Sequence, residues 1–214
     1  MAVAKKEVNI VIKKLEIESV PLKIVGDSPL IVHAWSEKAK KQMLATQQKI
    51  KTQKEIRNPF DEFINSMYWL TEKPESTEKA FADAIKNGAK WGFPTTAIKQ
   101  STISSAYRKG YVKNQTGLRG CIFLKSAYGD LAEIKGSIPR MREDMVTIGM
   151  GTADLRYRAE YPEWYMELVL EYDKNDAFRL EDIINFIDYG GYCNGIGEWR
   201  PEKDGMFGQY HVEI

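Results

Sequence analysis

Tyr165-Met-Glu-Leu-Val-Leu-Glu-Tyr172, then Leu180-Glu-Asp-Ile-Ile-Asn-Phe-Ile-Asp-Tyr-Gly-Gly191, then Gly208-Gln-Tyr-His-Val-Glu-Ile214 change hydrophobic period twice in succession. In the first segment Met166, Leu168 and Leu170 alternate with Glu167, Val169 and Glu171, the period of a strand with one face inward. In the second, Ile183, Ile184, Phe186 and Ile187 recur at helical spacing, and Gly190 reads as a glycine stop. The third has the pattern of an edge or closing strand. Strand, helix and strand therefore close the chain.

Upstream, Val8 to Ile17 alternates β-branched residues and reads as a strand, and Val20 to Ala34 reads as a strand pair broken at Gly26-Asp-Ser-Pro29. Ser36 is the expected N-cap of a helix reaching about Glu55, rich in alanine, lysine and glutamine, poor in large apolar residues, and so solvent-exposed or covered by a partner. Asn58-Pro59 ends it. Phe60, Phe63, Ile64, Met67, Tyr68 and Leu70 then predict a better-buried helix, and Ser76 caps a short one containing Phe81, Ala84 and Ile85. Gly92-Phe-Pro-Thr95 reads as a turn leading into a helix over Thr96 to Tyr107, with Ile98, Ile103 and Ala106 inward. Gly120 to Lys125 and Leu131 to Gly136 read as short strands. There is no internal repeat, which excludes solenoids and propellers. This order predicts an α+β fold in a single domain over residues 1–214: an antiparallel sheet with helices on one face, of the ferredoxin-like type, with a helical insertion at about 36–90.

The 214 residues are enough for one well-developed core. No apolar run approaches the length needed to span a bilayer, the N-terminus lacks a signal-peptide pattern, and the only cysteines are Cys121 and Cys193, so a cytoplasmic protein without membrane partners is expected. The formal net charge of +1 hides an uneven distribution. Between Ser36 and Arg57 lie Lys38, Lys40, Lys41, Lys49, Lys51, Lys54 and Arg57 against Glu37 and Glu55. From Lys99 to Arg142 come Lys99, Arg108, Lys109, Lys113, Arg119, Lys125, Lys135, Arg140 and Arg142 against Asp130 and Glu133. Both are candidate anion-facing stretches.

Enzyme patterns are weak. His33 and His211 are the only histidines, and neither stands in a nucleophile motif or a metal-ligand spacing, so no cofactor, metal or catalytic residue is expected. The carboxylates Glu160, Glu163, Glu167 and Glu171 read as a solvated strand face. Glycines 190, 191, 195, 197, 205 and 208 surround Trp199 and Arg200, the composition of a backbone that approaches a partner closely, such as a phosphate chain. Pro139-Arg-Met-Arg-Glu-Asp-Met145 and Asp154-Leu-Arg-Tyr-Arg158 read as two arginine-bearing loops joined by the Gly149-Met-Gly-Thr152 linker, with no long hairpin expected. Guanidinium forks match phosphate oxygens, and Tyr157 and Trp199 offer stacking faces for unpaired bases. The competing reading ties Arg156 and Arg158 to Asp144, Asp154 or Glu160 as internal ion pairs.

Gly26-Asp-Ser-Pro-Leu-Ile31, the Pro94 to Tyr107-Arg108 helix start and the glycine-rich segment after the last helix resemble the RAMP superfamily, the ferredoxin-like subunits of CRISPR effector backbones. Over nearly its full length the chain is also similar to a group of small phage and prophage proteins. That likeness is carried by Ser28-Pro-Leu-Ile31 with His33, Ser36, Lys38, Ala39 and Lys40, Gly92-Phe-Pro94, Pro139-Arg-Met-Arg-Glu-Asp-Met-Val146, Asp154-Leu-Arg-Tyr-Arg158, Trp164 and Gly197-Glu-Trp-Arg-Pro201. The first resemblance implies that repeated subunits bind the backbone of a single strand; the second implies origin and fold.

The expectation is a non-enzymatic phage-type protein that binds single-stranded DNA or RNA and assembles on it as a homo-oligomer or filament, in annealing, recombination or strand protection. Arg140, Arg142, Arg156, Arg158 and Arg200 are its expected phosphate contacts, Lys99 and Arg108 extend the track, and Tyr157 and Trp199 stack. A host defence or phage replication protein is its further expected partner. The alternative is a phage interaction protein that targets a host defence complex by mimicking its backbone subunit.

Overall fold

In the computed structural model, which describes residues 14–35, 37–50, 56–149 and 151–213, the chain is α+β with antiparallel sheets. Its elements are β1 (Ile17–Gly26), β2 (Leu30–Val32), α1 (Glu37–Gln47), α2 (Pro59–Asn65), β3 (Tyr68–Trp69), α3 (Glu78–Lys86), β4 (Trp91–Pro94), α4 (Thr95–Arg108), α5 (Gln115–Arg119) and β5 (Phe123–Lys125). They continue with β6 (Leu131–Gly136), β7 (Arg140–Ile148), β8 (Thr152–Tyr161), β9 (Trp164–Asp173), α6 (Leu180–Tyr189) and β10 (Tyr210–Glu213).

One sheet has the order β10-β1-β9-β6-β4-β3, with β5 also paired to β9, and a three-stranded sheet has the order β2-β8-β7. Every pairing is antiparallel. The alternation predicted for β9 holds: Met166, Leu168 and Leu170 are buried, Glu167 and Val169 exposed. On β1, Leu22 and Ile24 point to the same buried face, where Ile98, Ile103 and Ala106 of α4 and Ile183 and Ile187 of α6 complete the core. Each fully buried Leu or Ile contributes about 1.5–3 kcal/mol relative to exposure, so this layer dominates the apolar stabilisation. The opposite face carries cross-strand pairs Lys23–Glu213, Lys135–Glu167 and Lys125–Glu171.

Several boundaries move. Residues 8–13 of the strand expected over Val8 to Ile17 lie outside the described residues, as do Ser36 and residues 51–55 of the expected first helix; the strand expected from Val20 is β1, which starts at Ile17. The helix expected from Phe60 stops at Asn65, because Tyr68 and Trp69 pair with Gly92 and Trp91. For the same reason Gly92-Phe-Pro94 is a strand of the main sheet, where a turn was expected. Asn58 does not merely end a helix: its side chain accepts from Phe60 N–H at 3.0 Å and caps α2. Thr77, one residue after the expected Ser76, caps α3, while Ser76 donates to Asp61 at 2.6 Å. The α-helix ends at Tyr189 with Gly190 as its C-cap, where its end was expected, but Gly190 keeps helical dihedrals (φ −57°, ψ −48°) in place of left-handed ones, and a Cβ there would lie 2.9 Å from the Thr102 backbone nitrogen. That glycine lets the end of α6 press against α4, and the chain leaves its π-helical turn at Gly195, where φ is +64°.

The largest correction concerns residues 139–158. The two expected loops are strands of one long hairpin, β7–β8, with Arg142 opposite Arg158 and Asp144 opposite Arg156.

Candidate nucleic-acid interface

Alternation along β7 and β8 places Arg140, Arg142 and Asp144 on the same hairpin face as Glu160, Arg158, Arg156 and Asp154. The arginines are therefore answered from within the sheet. Arg140 donates to Glu160 from Nε at 2.9 Å, and Arg142 spans Asp144 at 2.8 Å and Glu160 at 2.8 Å. Arg156 meets Asp154 at 2.8 Å, and Arg57 ties Asp154 to Glu62 of α2, each at 2.6 Å. Glu160, expected on a solvated face, is 3% exposed. Burial pulls its pKa upward, but hydrogen bonds from Arg142 and Arg140 outweigh that and hold it below the ordinary carboxylate value. Tyr157 lies on the other face of β8, where its hydroxyl pairs with Glu143 and its pKa is raised by that hydrogen bond.

A second group assembles around the loop after α6. Arg200 donates to Glu202 from Nη2 at 2.7 Å and to the Gly197 carbonyl at 3.0 Å; Arg108, at the end of α4, reaches the same Glu202 at 2.8 Å. Trp199 is 38% exposed with φ +51°, and its carbonyl accepts from Phe207 N–H at 3.0 Å. The loop borders a cleft of about 250 Å³, whose walls include His33, Tyr68, Phe93, Gln100, Glu198 and Arg200. Gly197 permits this seat, since a Cβ would collide with the Ile31 carbonyl. The His33 pKa is lowered, first by desolvation in the cleft wall and then by the Arg158 charge, so the ring is neutral at pH 7.

Gln100 and Ser104 also line a neighbouring hollow of about 220 Å³, walled by Thr96, Lys99, Ile103, Gln115 and Arg119. The two hollows thus lie side by side across α4, whose outward stripe Ala97, Gln100, Ser104, Arg108 follows helical spacing in small or polar residues. Lys99 stands over the Phe123 ring at 4.5 Å, and burial lowers its pKa. Among the described residues Lys99, Lys109, Lys113 and Arg119 form no ion pair with a carboxylate, and the last three are exposed. Tyr107 and Phe123, 47% and 48% exposed, add ring faces beside them.

The sequence-predicted contacts therefore divide. Arg108, Arg158 and Arg200 gather near one cleft; Lys99 stands across α4 from them; Arg140, Arg142 and Arg156 are held in the hairpin ladder; and Tyr157 faces away. Sequence reasoning left out Gln100 and Ser104 and named Arg119 only within the basic stretch from Lys99 to Arg142, although the small or polar residues at 97, 100, 101 and 104 carry that signal. Among the described residues no group of three or more His, Cys, Asp or Glu side chains is arranged to hold a metal ion, and no helix is long and apolar enough to cross a membrane. No family model matches the chain, and no curated protein matches it.

Proposed function

We propose that the protein binds single-stranded DNA or RNA without reading its sequence, along the trough that crosses α4 between the 195–200 loop and α5. The observation that carries this reading is the pair Lys99 and Arg119, without carboxylate partners among the described residues, in the wall of one of two adjoining hollows that share the small or polar stripe of α4; Lys109 and Lys113, likewise unpaired among the described residues, lie on the chain between α4 and α5. Phosphates approach closely only where side chains are short, and Tyr107 and Phe123 supply the stacking faces that a sequence-tolerant grip uses. Arg108 and Arg200 border the trough, while the hairpin arginines act through their ion pairs as its frame.

The path β1, α4, β6, β9, α6, β10 with spatial order β10-β1-β9-β6 supports a ferredoxin-like, RAMP-like reading, with α1 to α3 inserted before α4. Side-by-side assembly on the strand is part of the proposal: β10 pairs only with β1 among the described residues, and α1 leaves Met43 and Leu44 exposed.

Fluorescence anisotropy with labelled single-stranded 20-mers across a salt series tests it. Binding that weakens steeply with salt, with a slope that falls by about 0.7 for each trough cation removed, is the expected result. Absence of binding at low salt overturns it and favours a protein partner.

A further inference from the structure

Past the end of α4 the chain reads Lys109-Gly-Tyr-Val-Lys113, and the structure gives this short run a fixed mount. Gly110 takes φ +78°, and its N–H donates to the Tyr107 carbonyl at 3.0 Å while Tyr111 N–H donates to the Ala106 carbonyl at 3.0 Å. These two bonds are those of a Schellman motif, which locks the backbone on either side of the glycine. Val112 is buried in the core, whereas its neighbours Tyr111 and Lys113 are exposed.

Tyr111 is 50% exposed and yet backed by α6. Its ring centroid lies 5.2 Å from that of Tyr189 and 6.0 Å from that of Phe186, and the Tyr189 hydroxyl hydrogen-bonds its own. A ring already held in place takes a flat ligand without first paying the entropy of ordering. The charges beside it select that ligand. Lys109 and Lys113, two residues away on either side, are exposed and form no ion pair with a carboxylate among the described residues. The acids close by are occupied elsewhere: Asp188 accepts from Val212 N–H at 2.6 Å, and Glu202 is held by Arg108 and Arg200. An apolar partner would leave the two cations unused, and a lone anion would leave the ring unused.

We infer that Tyr111 is a stacking platform for one unpaired base, whose flanking phosphates fall to Lys109 and Lys113. The inference rests on the single-strand reading and deepens it: where the α4 stripe of the trough ends at Arg108, the strand passes over this ring. It also states what is rejected. In a duplex the faces of each base are already stacked and must be opened at a cost, so the platform favours a single strand over a double one.

Titration of tyrosine-labelled protein with a thymidine dinucleotide and with the single-stranded 20-mer, followed by nuclear magnetic resonance, reads the ring itself. A shift of the ring signal assigned to Tyr111 by its absence from Tyr111→Phe is expected. In anisotropy with the 20-mer, Tyr111→Phe keeps native affinity, whereas Tyr111→Leu binds about tenfold more weakly at every salt concentration, because a stack is lost and no charge; a thermal melt establishes that the variant is folded. Lys109→Ala with Lys113→Ala instead makes the salt slope shallower by about 1.4. Native affinity in a folded Tyr111→Leu overturns the inference, as does 20-mer binding that leaves the Tyr111 signal unmoved; where Tyr111→Leu does not fold, the ring signal decides. Both results leave the single-strand reading standing. A shifted ring with no loss of affinity in Lys99→Ala with Arg119→Ala breaks the trough and leaves the platform, and an unmoved ring without any binding of the 20-mer overturns both.

Discussion

The β7–β8 hairpin and the α4–α5 surface both carry closely spaced cations, but only the hairpin brings its own carboxylates. On the hairpin, side chains two residues apart share a face, so Asp144, Asp154 and Glu160 fall among Arg140, Arg142, Arg156 and Arg158; they bind the first three at hydrogen-bonding distance, and Asp144 stands 3.6 Å from Arg158. Along α4, α5 and the loop between them there is no acid among residues 95–119, and Lys99, Lys109, Lys113 and Arg119 remain without carboxylate partners among the described residues. The difference teaches that basic residues make a binding surface only where the local geometry withholds their counter-charges. A buried, paired arginine fixes shape, and an exposed, unpaired one raises the local potential.

The most forceful way to break this contrast is Arg142→Met. It leaves Glu160 with one arginine and Asp144 with only the distant Arg158, and is expected to lower unfolding stability by about 3 kcal/mol in denaturant melts, with single-strand affinity unchanged. Lost affinity at full stability would turn the hairpin into a contact surface. The same ladder is sensitive to acid. Because the folded pKa of Glu160 lies below its ordinary value of 4.5, its stabilisation is present above that value and is lost as pH falls through it towards the folded pKa. Melts at descending pH are expected to show a loss in that window that Glu160→Gln abolishes.

Next in size is Lys99→Ala with Arg119→Ala. About tenfold weaker strand binding, or roughly 1.4 kcal/mol, and a salt slope shallower by about 1.4 are expected, with an unchanged melting temperature. A change in melting temperature with affinity intact would place these cations in the frame after all. The smallest effect sharpens the comparison inside the hairpin. Arg156 is partly exposed and pairs with Asp154 within its own strand, so Arg156→Ala is expected to cost less than about 1 kcal/mol, well below Arg142→Met.

Much of the fold was legible because it depends on local period. β6, β9 and α6 appear where their apolar residues alternate or recur at helical spacing, and the break at residues 27–29 separates β1 from β2 as the Gly-Asp-Ser-Pro run implies. Tyr68-Trp69 and Gly92-Phe-Pro94 were illegible for the opposite reason: each is too short to show a period, and each is a strand only because of its neighbours, β4 for the first and β3 and β6 for the second. The hairpin was legible in part: Leu155, Tyr157, Ala159 and Tyr161 alternate with Asp154, Arg156, Arg158 and Glu160, and reading the arginines as loop contacts passed over that period. Gly190 marked the end of α6, but the reason for a glycine there was hidden, because the contact with Thr102 that requires it comes from a helix far away in the chain.

For the candidate site, sequence identified where the cations are and could not say which were spoken for. Side-chain type, helical or strand period and capping preference act within a few residues, so the chain alone determined an α+β fold, a one-faced core and two basic stretches. Ion pairing depends on which strands lie in register and which loop folds over them. Tertiary structure alone therefore decided that Arg142 is locked between two carboxylates, that Arg119 is free of them among the described residues, and that Arg158 is buried between Asp144 and Glu198.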